Sequence, residues 1–150
     1  MNIRTARSED IQSLVKFNQE MALETEGKQL DREVLEKGVS AVFVDENKGF
    51  YVVAENEGKI VGGLMVTTEW SDWRNGWFWW IQSVYILPEA RGRGVYRKLY
   101  EFVKGCAEEN GHVCGFRLYV EKENETAQAV YEKLGMEKTY YLMYEEAASK

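Results

Sequence analysis

The sequence predicts a single α+β domain over residues 1–150, with a mixed, mostly antiparallel sheet. Three observations lead to this fold class. The 150 residues are 45% hydrophobic and include one proline, a globular composition of single-domain size. Hydrophobic periods typical of strands and helices follow the order β-α-α-β-β-β-α-β-α-β. Turn signals join the three central strands into hairpins, whereas helices connect the later strands, so the sheet should be mixed.

The first part of the chain predicts one short strand and two helices. Residues 3–5 read as the strand, and Ser8 is a plausible cap for the first helix. The apolar face of that helix would carry Ile11, Leu14, Val15, Met21 and Ala22. Asp31 can cap the second helix. Its apolar residues are Val34, Leu35, Val39 and Val42. Both helices should therefore be amphipathic and pack on the sheet.

The central part predicts three strands joined by hairpins. Residues 50–54 and 59–68 are rich in β-branched and aromatic residues, and "ENEG" between them reads as a turn. Asn75-Gly76 is the strongest short-range hairpin signal in the chain. It precedes the strand 77–87, which stops at Pro88.

The last part predicts two helices that alternate with two strands. A helix with Val95, Leu99, Phe102, Val103 and Cys106 on one face ends near Gly111. Residues 116–120 alternate like a strand. A further helix places Ala127, Val130, Tyr131 and Leu134 on one face and ends at Gly135. "KTYYLMYE", residues 138–145, reads as the last strand.

Composition narrows the class of protein. The net charge of -6 argues against a general nucleic-acid binder and mildly favours cationic small partners. Cys106 and Cys114 lie in no metal-binding or disulfide pattern, so we expect no metal and a reducing compartment. The sequence has neither a signal-peptide pattern nor a membrane-span pattern. We therefore expect a cytoplasmic protein without membrane partners.

The stretch "ARGRGVYRK" joins a strand to a helix and predicts an anion site. The N-terminus of a helix offers N–H groups and partial positive charge, and Gly92 and Gly94 would let a ligand approach the backbone. Arg91, Arg93, Arg97 and Lys98 add formal charge. The spacing matches neither a dinucleotide fingerprint nor a Walker A loop. A solvated basic helix start with two turn glycines is the alternative interpretation.

Four segments of the chain together resemble the GCN5-related N-acetyltransferases. "RGRGVY" is similar to their acetyl-CoA loop, [Q/R]-x-x-G-x-[G/A], except that Tyr96 stands where the family usually has Gly or Ala. The late motif N-x-x-A-x-x-x-Y-x-x-x-G-[F/M] is matched by Asn124, Ala127, Tyr131, Gly135 and Met136. "IRTARSEDIQSL" and "FYVVAENEGKIVGGLMV" resemble the opening strand and helix and the second and third strands.

The resemblance implies six to seven strands, about four helices, and fourth and fifth strands that splay apart around acetyl-CoA. The pantetheine arm would pair with the backbone of the fourth strand, the pyrophosphate would bind N–H groups of the glycine loop, and Asn124 would contact the pantetheine. The implied acetyl-CoA-binding residues are Val84, Tyr85, Ile86, Arg91, Gly92, Arg93, Gly94, Val95, Tyr96, Arg97, Asn124, Ala127 and Tyr131.

The same resemblance implies that Tyr131 is the general acid that protonates the thiolate. The alternative is a core tyrosine on the apolar face of the last helix. Glu69 and Glu24 are candidate bases, with Asp72, Glu20 and Glu26 as further acidic residues. Each of them could be an ordinary surface carboxylate, and a water chain could replace a dedicated base.

The stretch "WSDWRNGWFWW" could form an aromatic wall for an amine substrate, hydrophobic packing, or the contact of a homodimer. The leading hypothesis is an acetyl-CoA-dependent N-acetyltransferase for a small amine, a lysine side chain or an N-terminus. A non-catalytic acyl-CoA-binding regulatory module is the alternative, suggested by Tyr96 and by the absence of a carboxylate early in the fourth strand. The acidic net charge counts against a nucleic-acid module.

Overall fold

The computed structural model describes residues 1–149, which cluster into two compact units, Met1–Tyr119 and a second unit that begins at Val120. The strands are β1 (Asn2–Thr5), β2 (Phe50–Asn56), β3 (Lys59–Ser71), β4 (Gly76–Ile86) and β5 (Val113–Arg117). The α-helices are α1 (Ile11–Glu26), α2 (Arg32–Val44), α3 (Val95–Asn110) and α4 (Glu125–Lys133). The α+β class and the four helices are confirmed.

All five strands form one sheet in the order β1-β2-β3-β4-β5. The first four strands are antiparallel neighbours, and β5 runs parallel to β4. Helix α3 forms the crossover that a parallel pair requires. The predicted antiparallel meander and mixed sheet are therefore confirmed.

The number of strands differs from the prediction. Within the described residues the sheet has five strands, so the expected six to seven is wrong. Residues 138–145 form no strand, although their composition suits one. Composition shows only that a segment fits a pleated surface, and a strand also needs a neighbouring strand to pair with. The strand expected at 116–120 lies at Val113–Arg117, because α3 ends at Asn110, with Gly111 as its C-cap, and pairing with β4 begins at Val113.

Two helix details also differ from the prediction. Ser8 does not cap α1, because a 3₁₀ turn over Ser8–Asp10 precedes the helix. The buried Asp10 carboxylate instead accepts a hydrogen bond from the N–H of Arg7 at 2.8 Å. Asp31 caps α2 as expected, since its carboxylate accepts from the N–H of Val34 at 3.2 Å. Val34 itself is 68% exposed and does not join the apolar face.

The core lies on both faces of the sheet. On one face, the buried residues of α1, α2 and the strands form one cluster: Leu14, Val15, Phe17, Val39, Tyr51, Val53 and Tyr85. Successive side chains of a strand point to opposite faces, so Val52 and the α3 residue Leu99, both fully buried, belong to the other side. Each fully buried aliphatic side chain contributes about 1.5–3 kcal/mol of transfer free energy. The helices thereby fix the position of β4, which leads into the glycine loop.

None of the helices within residues 1–149 is long and apolar enough to cross a membrane. The same residues contain no group of three or more histidine, cysteine, aspartate or glutamate side chains arranged to hold a metal ion.

Candidate active site

Strand β4 changes its pairing halfway along its length. Trp77–Trp80 pair with β5, whereas residues 81–86 pair within the described chain only with β3. We call the side of residues 81–86 that faces away from β3 the open edge of β4. A strand edge of this kind can accept an extended ligand as an added strand.

A β-bulge lies at the start of the open edge. The register between β3 and β4 shifts between Gly63 and Met65, and Ser83 has a left-handed φ of 53°. A bulge turns the backbone groups of a strand away from the regular ladder. The structure thus combines an irregular backbone with an unpaired edge at one place in β4.

The chain leaves the open edge through a short 3₁₀ turn, Pro88–Ala90, and enters the glycine loop. Gly92 and Gly94 have φ values of 75° and 74°. A Cβ on either glycine would meet no other atom within 4 Å, so the left-handed backbone, not crowding, explains the glycines. The space beside the loop is open.

Helix α3 begins directly after this loop without a side-chain cap, because Gly94 occupies its N-cap. Lys98 donates its backbone N–H to the carbonyl of Gly94 at 3.2 Å, which closes the first turn. N–H groups before that bond have no acceptor within a helix, and the helix dipole adds partial positive charge there. This geometry suits an anionic group such as a pyrophosphate.

The side chains expected around the anion have different environments. Arg93 lies exposed in the loop, whereas Val95 is buried in the core. Arg97 lies on the exposed face of α3, 3.7 Å from the Glu101 carboxylate. Tyr96 stands at the position where the family that the sequence resembles usually has Gly or Ala. Its ring stacks on that of Tyr100, with the two ring centroids 6.1 Å apart. The Tyr96 ring is therefore directed along α3.

Arg91 connects the glycine loop to helix α1. Its Nη2 donates to Oε1 of Glu24 at 2.8 Å, and its Nε donates to the carbonyl oxygen of Ile86 at 2.9 Å. The hydroxyl of Tyr85 donates to the other carboxylate oxygen of Glu24. The Arg91 guanidinium also lies over the Tyr85 ring, 5.4 Å from its centroid. These contacts hold the end of the open edge, the loop and α1 together.

The electrostatics of this cluster stabilise the ionised form of Glu24. The hydrogen bond from Tyr85, followed by that from Arg91, lowers the pKa of the Glu24 carboxyl. Burial, followed by the hydrogen bond to Glu24, raises the pKa of Tyr85 to about 12. Glu24 is consequently ionised, and both of its carboxylate oxygens accept hydrogen bonds. The carboxylate is therefore a weak proton acceptor.

Glu69 has a different environment on the sheet. Its Oε1 accepts hydrogen bonds from Trp80 Nε1 at 2.8 Å and from Arg117 Nη1 at 3.0 Å. Arg117 in turn lies over the Phe78 ring, 3.6 Å from the centroid. Both hydrogen bonds of the Glu69 carboxylate use the same oxygen, so Oε2 remains available to a ligand or water.

Helix α4, in the second unit, carries the remaining candidates. The side-chain oxygen of Asn124 accepts from the N–H of Ala127 at 3.1 Å and caps the helix. The Asn124 amide nitrogen is the group left for a ligand. Tyr131 is half-buried, and burial raises the pKa of its phenol. Tyr131 is therefore protonated at neutral pH, as an acid must be.

The structure distributes the predicted residues over several places, including the glycine loop described above. Arg91, Glu24 and Tyr85 form one cluster, and Glu69 lies with Trp80 and Arg117 in another. Ala127 and Tyr131 lie in α4, and Asn124 is its N-cap. The open edge contains Val84 and Ile86, both half-buried. The role of the Tyr85 hydroxyl was missed, because its partner is 61 residues away and no local pattern indicates it.

The tryptophan-rich hairpin divides into packed and exposed residues. Trp79 is buried, and Trp70 and Trp77 form an edge-to-face pair with ring centroids 4.9 Å apart. Trp73, at the turn, is 88% exposed. Part of this stretch is thus core packing, and its tip is a solvent-facing aromatic surface.

Known proteins share the sequence pattern and the fold of this chain. Residues 11–136 match the family described as Acetyltransferase (GNAT) family. The uncharacterized N-acetyltransferase YhfO of Bacillus subtilis (strain 168) is 25% identical over 141 residues, 91% of this chain and 90% of the relative. A possible acetyltransferase from Clostridium difficile 630 is 48% identical, with a TM-score of 0.92 over 99% of this chain and 98% of that chain.

A more distant solved structure shares the fold. It is a predicted acetyltransferase from Clostridium acetobutylicum, solved with acetyl-CoA, at 20% identity and a TM-score of 0.79, covering 97% of this chain and 95% of that chain.

Proposed function

Because this chain belongs to the acetyltransferase (GNAT) family, and is thus an acyltransferase, we propose that it transfers an acetyl group from acetyl-CoA to a primary amine. The reaction proceeds by direct attack of the amine in a ternary complex. The observation that carries this proposal is the open edge of β4, which leads through the 3₁₀ turn Pro88–Ala90 into the left-handed glycine loop and the uncapped start of α3. We also propose that residues 1–150 form one catalytic domain, since the family match spans both compact units.

Acetyl-CoA is proposed to bind along these elements in order. The pantetheine arm pairs with the backbone of Val84, Tyr85 and Ile86 as an added strand. The pyrophosphate accepts hydrogen bonds from the N–H groups of the stretch 92–97, with charge from Arg93 and Arg97. The Asn124 amide contacts the pantetheine, and the first turn of α4, including Ala127, packs beside it. The neighbour solved with acetyl-CoA supports this assignment through its fold.

The proposed reaction consists of one acetyl transfer and two proton transfers. The amine nitrogen attacks the thioester carbonyl, forming a C–N bond, and the tetrahedral intermediate then breaks its C–S bond. Tyr131 gives its phenolic proton to the departing thiolate, whose conjugate acid has a pKa of about 8.5. The proton lost by the amine passes through water to a carboxylate or to solvent.

Of the two candidate bases, Glu69 is favoured over Glu24. Both oxygens of Glu24 are hydrogen-bonded and its pKa is lowered, so the carboxylate holds a proton poorly. The hydrogen bonds that Glu69 accepts from Trp80 and Arg117 both use Oε1, which leaves Oε2 for water. We therefore propose Glu69 as the base, acting through bound water, and Glu24 as the residue that positions Arg91 and Tyr85.

The acceptor is proposed to be a primary amine of a small molecule, a lysine side chain or an N-terminus. The carboxylate of Glu69 beside the Trp80 ring offers a cation both charge and an aromatic surface. The net charge of -6 also favours a cationic acceptor over a nucleic acid. We further propose that the enzyme acts in the cytoplasm and as a homodimer.

A thiol-release screen tests the function. The full chain is incubated with acetyl-CoA and a panel of polyamines, aminoglycosides, amino acids and lysine peptides, and free thiol and acetylated amine are both measured. Amine-dependent thiol release with matching acetylated product is expected for at least one class. Tight CoA binding without turnover on any amine would instead support the non-catalytic acyl-CoA-binding module.

A further inference from the structure

One face of the sheet connects the open edge of β4 to the end of the tryptophan-rich hairpin. Along β4, Gln82, Trp80 and Phe78 occupy alternate positions and therefore share this face. Gln82 Nε2 donates to Thr67 Oγ1 of β3 at 2.6 Å. Trp80 Nε1 donates to Glu69 Oε1 of β3 at 2.8 Å. Glu69, the proposed base, thus lies on a polar face that begins at the proposed acetyl-CoA edge.

The β-bulge described above extends this face toward the glycine loop. Gln82 pairs with Met65, and Tyr85 pairs with Gly63, two residues away in β3. Positions two apart in a strand share a face, so Tyr85 lies on the same face as Gln82 although three positions separate them in β4. The face therefore runs from the Tyr85 hydroxyl, near the glycine loop, to Phe78, near the hairpin turn.

The hairpin end of this face carries two guanidinium groups on one aromatic ring. Arg117 Cζ lies 3.6 Å from the centroid of the Phe78 ring, and Arg74 Cζ lies 5.0 Å from the same centroid. Gly115 lies opposite Phe78 in β5, and a Cβ there would be 2.7 Å from a ring atom. The glycine therefore lets the ring lie over β5, where it supports the Arg117 guanidinium. We call Arg74 and Arg117 the arginine pair.

The positive charge of the arginine pair is only partly balanced. Arg117 Nη1 donates to Glu69 Oε1 at 3.0 Å, whereas its Nε and Nη2 donate no hydrogen bond within residues 1–149. Arg74 forms no ion pair within the same residues, and the nearby Asp72 carboxylate accepts the N–H of Trp73 instead. Two cations thus share one carboxylate. The planar fork of an arginine matches the oxygens of a carboxylate or a phosphonate.

We propose that the acceptor is a small amino acid-like molecule, in which one or two carbons separate the primary amine from an anionic group; this inference rests on the proposed acetyl transfer. The amine binds beside Glu69 Oε2 and the Trp80 ring, and the anionic group binds the arginine pair. The amine nitrogen forms a C–N bond to the acetyl carbon, and the C–S bond breaks. The amine proton passes through water to Glu69, and Tyr131 protonates the thiolate.

The spacing of the binding groups selects a short acceptor. Arg117 Nη1 lies 3.0 Å from one oxygen of Glu69, so the guanidinium and the base flank the same carboxylate. An amine held at the other oxygen, directly or through one water, therefore lies close to an anion held by the same guanidinium. Polyamines and lysine side chains carry no anion at this distance from the nitrogen, and a peptide N-terminus carries an amide there. A site that binds a charged group rejects analogues that lack it, because its polar groups then stay unpaired.

The test compares matched amines with the full chain and acetyl-CoA. Each amino acid of a panel is measured beside its carboxamide and its aminoalkylphosphonate analogue, which differ only in the group next to the amine. Polyamines and lysine peptides with blocked termini complete the panel. For the best amino acid, kcat/KM should exceed that of its carboxamide at least ~10-fold, the effect of charge-assisted hydrogen bonds. The phosphonates show which of the two anions the arginine pair prefers.

Arginine variants assign this preference to the arginine pair. Arg74→Gln should lower the ratio of kcat/KM between the amino acid and its carboxamide at least ~5-fold, by raising the KM for the amino acid. Arg117→Gln should lower the same ratio and also kcat, because Arg117 holds Glu69. Arg32→Gln is the matched control, since it removes an exposed ion pair with Glu36 on α2 and should leave the ratio unchanged.

The contrary outcomes are distinct. A loosened hairpin would slow both substrates equally, so an unchanged ratio in Arg74→Gln would overturn the inference. Acetylation of carboxamides, polyamines or blocked lysine peptides with a kcat/KM equal to or above that of the amino acids would also overturn it, and the proposed acetyl transfer would stand. Thiol release with none of the amines would contradict the acetyl transfer, and both proposals would fall together.

Discussion

Arg91 Nη2 lies 2.8 Å from Oε1 of Glu24, and this contact links two residues that are 67 positions apart in the chain. The same guanidinium is bound to the carbonyl oxygen of Ile86, at the end of β4. The Arg91 side chain thus joins the glycine loop to β4 and α1. This ion pair connects helix α1 to the proposed acetyl-CoA site.

The first prediction concerns Glu24. Glu24→Gln should raise the KM for acetyl-CoA several-fold and change kcat by less than ~3-fold, because the variant loosens the loop without removing a reacting group. The pair is partly exposed, so the free energy of unfolding should fall by no more than about 1 kcal/mol. Steady-state kinetics and urea unfolding provide both values.

Glu26→Gln is the matched control, since Glu26 makes an exposed ion pair with Lys28 two residues along the chain. It should leave the KM for acetyl-CoA unchanged. A large fall in kcat at unchanged KM in Glu24→Gln would instead assign Glu24 the role of the base.

The second prediction concerns Tyr131. Tyr131→Phe removes the proton donor and retains the ring, so kcat should fall at least ~10-fold while the affinity for CoA stays within ~2-fold. Turnover of the full reaction and calorimetric CoA titration measure the two effects. Tyr119→Phe, at an exposed tyrosine, should be silent in both. Wild-type turnover in Tyr131→Phe would exclude Tyr131 as the acid.

The third prediction concerns the glycine loop. Gly94→Ala places a side chain on a backbone with φ of 74°, which costs roughly 1–2 kcal/mol or shifts the loop. The affinity for CoA should fall at least ~10-fold. Gly105→Ala, in the interior of α3 and with open space around its Cβ, should stabilise the protein by about 0.5–1 kcal/mol and leave CoA binding intact. Equal CoA affinity in the two variants would contradict the assignment of CoA binding to the glycine loop.

The fourth prediction concerns acid stability. The hydrogen bond from Arg4 is the main cause that lowers the pKa of the Asp10 carboxyl, and both side chains are largely buried. A carboxyl whose folded pKa lies below its unfolded value of about 3.9 stabilises the protein above that value and loses this contribution as the pH falls through the folded pKa.

Asp10→Asn should accordingly reduce the free energy of unfolding by about 3 kcal/mol at pH 7. The difference from the wild type should shrink as the pH falls below about 4. Urea unfolding of both proteins over this pH range measures it. A difference that stays constant down to pH 2 would show that Asp10 does not act through its charge.

Local signals in the sequence were sufficient for much of the fold. The hairpin signalled by Asn75-Gly76, the Asp31 cap and the glycine after α3 each depend on a few neighbouring residues, and all three features are present, although Gly76 itself begins β4 and pairs with Ser71. The glycine loop was found for the same reason, because a strand, two glycines and a helix follow one another directly. The strand expected at 138–145 is absent, because composition cannot show whether a segment has a strand to pair with.

The parts of the site that the sequence did not indicate depend on long-range contacts. Nothing near Glu24 shows that its carboxylate meets Tyr85 and Arg91, which lie 61 and 67 residues away. Likewise, Glu69 meets Arg117 only because β3, β4 and β5 are neighbours in the sheet. Such pairs are set by topology, so they follow from the fold and not from spacing in the chain.

The location of the acetyl-CoA site is tested most directly by amide hydrogen exchange with and without CoA. We expect slower exchange on CoA binding in residues 81–86, as the open edge of β4 becomes paired, and in residues 92–97, as the loop binds the pyrophosphate. Exchange in β1 and β2 should not change. Protection that spares both the open edge and the glycine loop would contradict the proposed site.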